Sequence, residues 1–258
     1  MIMDEPKLNY AIYEALNIEA INLRISFGIG EYSAIDFESL LFSKEEMTYL
    51  SFPMPDNINA ICVKDSSNKV IAINSKDTLG KQRYSLAHEL YHLYVQKDFL
   101  FSVCTDDNKK PIEEVKADAF ATYFMLPKSA LYWFIKQTLN MDISKGKIHF
   151  NFDQIIKIEQ YYKISHAAML NRLKIEKMIT QQEYIQYQDG VIRRALNLGY
   201  DDSLYIPPAN EYKAKGKYIH YAKKLLELGL INDREFEDYM VDVGREDLIC
   251  PESKNIVN

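Results

Sequence analysis

Ile12, Leu16, Ala20 and Leu23 recur every three to four residues, so the spacing predicts a packed amphipathic helix over 9–25. From Asn59 the period shortens. Ala60-Ile61-Cys62-Val63 and Val70-Ile71-Ala72-Ile73 are two β-rich runs separated by Asp65-Ser66-Ser67-Asn68, which predicts a hairpin. Beyond Gly80 the helical period returns, with Leu86, Leu90 and Leu93 on one stripe of a helix expected over 81–95. A polar stretch from Cys104 to Pro111 interrupts the pattern and reads as a solvated connector, with a lid as its other use. A second helix is expected over 113–126, stopped by Pro127. Further helical spacing covers 129–139, 152–162 and 165–179, the last with Ser165 as N-cap. After Gly190, Pro207-Pro208 marks a linker. Two more helices follow over 217–228 and 233–241, the second opened by an Asn232/Glu235 capping box.

Mixed short strands and many helices make the expected class α+β, divided into 1–145, a helical segment 146–190 and a helical extension 191–258. With 258 residues, 47% hydrophobic and 26% charged, the chain can bury a sizeable core. The net charge of −6 supplies no basic footprint for duplex DNA, so direct DNA binding is not expected. The acidic start, Met1-Ile2-Met3-Asp4-Glu5-Pro6, lacks a signal-peptide pattern, and no apolar run approaches the ~20 residues of a membrane span. A cytoplasmic location with no membrane partner is the expectation. Cys62, Cys104 and Cys250 are scattered and odd in number, which reads as reduced thiols.

The chemistry concentrates in His88-Glu89-Leu90-Tyr91-His92. Residues four apart share a helix face, so His88 and His92 can direct imidazoles to one metal ion, and Glu89 is rotated away to serve as a general base. Apolar or aromatic neighbours Leu86, Ala87, Leu90 and Tyr91 argue for an embedded helix rather than two unrelated surface histidines. A hydrolytic zinc site needs a third protein ligand, and Glu113, Glu114 and Asp118 on the next helix are the candidates. Glu114 and Asp118 share a face with the small Ala117 and Ala121. Glu114 can therefore bind metal while Asp118 accepts from the outer nitrogen of a ligand histidine. Glu113 is the fallback, and plain helix-start acids favoured by the macrodipole are the bland alternative for Glu114 and Asp118. The hairpin edge at 70–73 is expected to hold a peptide as an added strand. The span 153–173 has the outline of a helix-turn-helix, but its mixed charges read as a packed helical pair. His149, His166 and His220 read as structural or exposed.

The run Arg83-Tyr84-Ser85-Leu86-Ala87-His88-Glu89-Leu90-Tyr91-His92, with Glu114-Val115-Lys116-Ala117-Asp118-Ala119-Phe120-Ala121 and Met125-Leu126-Pro127, resembles the ImmA/IrrE-type zinc metallopeptidases. The resemblance covers about 59–127 and extends to Tyr162-Lys163-Ile164-Ser165 and Asn171-Arg172-Leu173. It implies a zincin-like catalytic domain with a small sheet and an active-site helix, followed by mainly helical segments. It also implies zinc ligands His88, His92 and Glu114, with Glu89 as the catalytic acid/base. The implied setting is a bacterium or mobile element, and the implied partner is an Xre-type helix-turn-helix repressor whose cleavage releases transcription. Tyr91 stands where the family commonly has Gly, and Asp118 where it commonly has Asn; Tyr91 is expected to narrow the cleft. The competing function is a metal-containing regulatory module that docks a repressor or toxin-antitoxin partner without efficient proteolysis.

Overall fold

The computed structural model describes residues 8–43, 47–66, 68–105, 111–141, 148, 150–208 and 212–249. The architecture is α+β, as the patterning predicts. Helices α1 (Tyr10–Ser26) and α2 (Phe37–Ser43) precede strands β1 (Met47–Phe52), β2 (Ile58–Lys64) and β3 (Lys69–Asn74). Then come α3 (Leu79–Tyr94), β4 (Phe101–Thr105), α4 (Ile112–Met125) and α5 (Lys128–Gln137). The remainder is α6 (Phe152–Tyr162), α7 (His166–Ile175), α8 (Gln181–Tyr187), α9 (Val191–Asn197), β5 (Lys213–Lys215), α10 (Lys217–Glu227) and α11 (Asp233–Asp242).

β2 and β3 form the expected hairpin, Cys62 opposite Ile71 and Ala60 opposite Ile73, and Asp65 accepts from the Asn68 amide at 2.7 Å across the turn. The sheet order is β4-β2-β3-β1-β5, with β1 parallel to β3 and the other pairings antiparallel. This corrects the expected substrate edge. β3 is paired on both sides, so its ladder groups at 70–73 have no room for an added strand. Its last four residues, Ile71 to Asn74, are buried without alternation, as befits an interior strand covered on both faces. Cys104 and Thr105, expected in a polar connector, belong to β4 at the sheet edge. The rest of that connector, 106–110, lies outside the described residues, as do His149 and Cys250.

α3 packs on β2 and β3, and α4 lies between α3 and α1. Ala87 on α3, Ala20 on α1, and Ala117 and Ala121 on α4 are fully buried, so no side chain bulk keeps these helices apart. Two buried arginines hold the C-terminal end of α4. Arg24 of α1 donates to the Phe124 carbonyl at 2.6 Å, and Arg172 of α7 donates to the Leu126 carbonyl at 3.1 Å and lies 4.0 Å over the Tyr123 ring. Cations at a helix C-terminus satisfy its orphan carbonyls and oppose its dipole. α7 stops at Ile175, short of the expected 179, because Lys177 adopts a left-handed φ of 57° and the Met178 amide turns back to Leu173 at 2.8 Å.

The start of α3 is pinned from far along the chain. Thr78 caps it, and the Leu79 and Gly80 amides donate to the carbonyls of Ile206 (3.2 Å) and Leu204 (2.9 Å). Gly80 is required by this approach, since a Cβ there would meet the Ser165 Cα at 2.9 Å and the Leu204 carbonyl oxygen at 3.0 Å. The main core runs from Leu8 to Ile179, and smaller clusters form around Ala195, Leu204 and Tyr205 and around Ala222, Phe236 and Met240.

Candidate metal centre

His88, Glu89 and His92 sit in the middle of α3, all at or below 1% exposure. The helical repeat puts both imidazoles on the face opposed to α4, whose first turns carry Glu114 and Asp118. The Nε2 atoms of His88 and His92 are 3.2 Å apart, and Glu114 reaches them with its two oxygens at 3.1 Å and 3.4 Å. A tetrahedral ion with bonds of ~2.0–2.1 Å has ligand-to-ligand edges of about 3.3 Å. The two Nε2 atoms and the Glu114 carboxylate, which faces each ring with a different oxygen, are therefore separated by about one such edge.

Each outer nitrogen is held. His88 Nδ1 is 2.9 Å from Asp118 Oδ1, and His92 Nδ1 is 2.5 Å from Gln96 Oε1. Where these bonds are donated by Nδ1, the neutral form of each ring turns its Nε2 lone pair to the shared point. Tyr84 donates to the Asp118 backbone carbonyl at 2.9 Å, and Phe99 stacks on His92 at 5.1 Å. Tyr84 and Gln96 are not singled out by the sequence, although each lies four residues from a site histidine, Tyr84 on α3 and Gln96 just past its end. Cys104 could not have been found that way, because only strand register brings it to the cluster.

Burial would depress the His88 pKa, but Asp118, the Cys104 thiol and Glu114 overcome it and raise it well above 6.5. His92 is lowered by burial and by the neighbouring His88, against the pull of Gln96. Two imidazolium charges this close repel, which accords with the opposed directions. Burial would raise Glu114, yet the two histidines hold it below its ordinary value. Glu89 differs: burial pushes its pKa up to about 7, with His88 opposing. Neither of its oxygens has a nitrogen or oxygen donor, and the weakly donating Cys62 thiol from β2 lies against it without satisfying it.

The model for the IrrE N-terminal-like domain of peptidase family M78 matches residues 43–174, which include every residue of this cluster. The chain belongs to that family. No curated protein matches it. M78 membership makes a metallopeptidase, with a metal cofactor and a protein substrate, the class of activity that this geometry has to serve.

Two positions depart from the M78 pattern that the sequence resembles. Tyr91 does not project among the donors: its hydroxyl donates to Glu113 at 2.7 Å and its ring packs 5.6 Å from Phe120, so it ties α3 to α4. That bond and a 2.6 Å ion pair to Lys116 occupy Glu113, the fallback ligand. Asp118 accepts from the histidine at its position. His166 lies in a separate buried cluster and His220 on α10, so neither joins the site. A cavity of about 300 Å³ lined by Phe37, Tyr49, Arg83 and Lys215 among others shares no residue with the donors. Among the described residues no helix is long and apolar enough to cross a membrane.

Proposed function

We propose that the chain is a zinc-dependent endopeptidase in which His88, His92 and Glu114 hold the metal, Asp118 orients His88 and Glu89 is the general base. The observation that carries this reading is the convergence of two Nε2 atoms and one carboxylate at tetrahedral spacing beside a buried carboxylate with no partner. Zinc bound there would supply Lewis-acid polarisation of a carbonyl and bring a water pKa down towards ~7. Glu89 follows a ligand directly in sequence but is turned out of the donor set. Its raised pKa suits a group that takes a proton from the attacking water and returns it to the leaving amine near neutral pH. Asp118 and Gln96 keep the rings from rotating, which preserves the donor geometry through turnover.

The peptide would add to the outer edge of β4, where Phe101 and Val103 are exposed, because β3 is closed on both sides. A helix-turn-helix repressor of the Xre type is the substrate we infer, in a cytoplasmic, transcription-regulating role on a bacterial or mobile element; its support is the resemblance of the motif run to ImmA/IrrE peptidases. The test mixes wild-type and Glu89→Gln proteins, each loaded with zinc, with a helix-turn-helix protein encoded beside this gene. The variant should keep its zinc and its complex with the repressor while cleavage falls by about 100-fold or more. Equal cleavage would remove Glu89 from the mechanism. Complex formation without cleavage by either protein would favour a regulatory docking module.

A further inference from the structure

Cys104 brings a sulfur to this site that the hydrolytic reading does not use. Cys104 of β4 is paired with Ala60 of β2, two residues from the Cys62 that lies against Glu89, and directly paired residues share a sheet face. Its side chain is therefore directed from the sheet towards α3. Its sulfur, a nitrogen of His88 and an oxygen of Glu114 all lie within 4.8 Å of one another. A zinc tetrahedron has sulfur-to-nitrogen edges of about 3.6 Å, so the sulfur must move closer to His88 and Glu114, and to His92 beside them, for the metal to take all four. A second observation is independent of the sulfur. Glu89, fully buried beside the cluster, has no partner for either oxygen, a deficit that a bound cation relieves.

We propose that Cys104 is a fourth protein ligand, so that the substrate-free enzyme holds its metal with His88, His92, Glu114 and Cys104. This rests on the metal assignment above. As the metal–sulfur bond forms, the thiol releases its proton to solvent, and four protein donors then complete the tetrahedron. Such a site is closed, and hydrolysis requires Cys104 to withdraw first. A buried cysteine that only packs as a small apolar side chain would leave no spectroscopic trace at the metal.

Cobalt(II) substituted into the full chain gives the readout. A sulfur-to-cobalt charge-transfer absorption is expected in the wild type and in Cys62→Ala. It should be lost in Cys104→Ala and Cys104→Ser, which still bind one cobalt with affinity about 10-fold or more weaker. X-ray absorption of the zinc-loaded wild type, which needs no variant, should find one sulfur at about 2.3 Å. Metal bound without sulfur, or an absorption that survives in the Cys104 variants or disappears in Cys62→Ala, overturns the proposal and leaves the His88, His92 and Glu114 assignment standing. A wild-type chain that takes up no metal overturns both.

Discussion

Glu159 with His166, and Glu89 with His88, each set a fully buried glutamate near a helical histidine, yet their surroundings are opposite. In the first, His166 Nδ1 is 2.7 Å from Glu159 and Nε2 is 2.6 Å from the Tyr187 carbonyl, while the second Glu159 oxygen accepts from Tyr205 at 3.0 Å. Every polar atom of that network is used, and it ties α6 and α7 to the segment that pins the start of α3. In the second, two Nε2 atoms and a carboxylate converge on one point, and Glu89 is left without a donor. A polar cluster that serves the fold is satisfied internally, whereas one that serves chemistry keeps groups in reserve for what it binds.

The largest expected effect puts the same substitution in both places. Glu159→Met removes the partner of His166 Nδ1 and of the Tyr205 hydroxyl and should cost about 3–5 kcal/mol of stability. Glu89→Met in the metal-free chain removes a buried carboxylate that has no partner, and should leave stability unchanged or raise it by about 1–2 kcal/mol. Urea unfolding of the two variants checks the sign, and equal losses would break the comparison.

Metal affinity separates the clusters next. His92→Ala should weaken zinc binding by about 100-fold, equivalent to about 2.7 kcal/mol, while His166→Gln should leave it within about 3-fold of wild type. Competition against a chromophoric chelator measures both. A matching loss in the His166 variant would mean that its network is coupled to the site.

The smallest effect is in pH. Burial raises the Glu159 pKa above 4.5, and for His166 the Glu159 carboxylate outweighs burial and raises it above 6.5. A raised folded-state pKa contributes stability below the unfolded value and loses it as pH climbs through the folded value. Stability should therefore decline as pH rises from about 4.5, and further beyond 6.5. In His166→Gln the decline beyond 6.5 should flatten relative to wild type, as followed by thermal unfolding across a pH series. An unchanged slope would show that the pair does not titrate with folding.

Local chemistry made much of this legible in advance. The β2–β3 hairpin followed from Asp65 and Asn68, the α11 capping box from Asn232 and Glu235, and the site helix from the Leu86, Leu90 and Leu93 stripe. β1 and β5 were not predicted. Their partners lie far away in sequence, with Tyr49 opposite Lys215, and β5 is only three residues long. β3 reads as a hairpin edge from its neighbours in sequence, and only its pairing with β1 makes it an interior strand.

The sequence by itself determined that two histidines share a helix face with a glutamate beside them, since a 3.6-residue period fixes that without any other contact. It also determined that Glu114 and Asp118 present together one turn apart. Only the tertiary structure decided that α4 crosses α3 closely enough for Glu114 to stand 3.1 Å from His88, that Tyr91 binds Glu113 instead of facing the donors, and that Cys104 arrives from the sheet edge. The physical reason is range. Helical periodicity and capping act over a few residues, whereas these distances are set by buried alanines, by Arg24 and Arg172 at the end of α4, and by Leu204 and Ile206 at the start of α3, all remote in the chain from what they position.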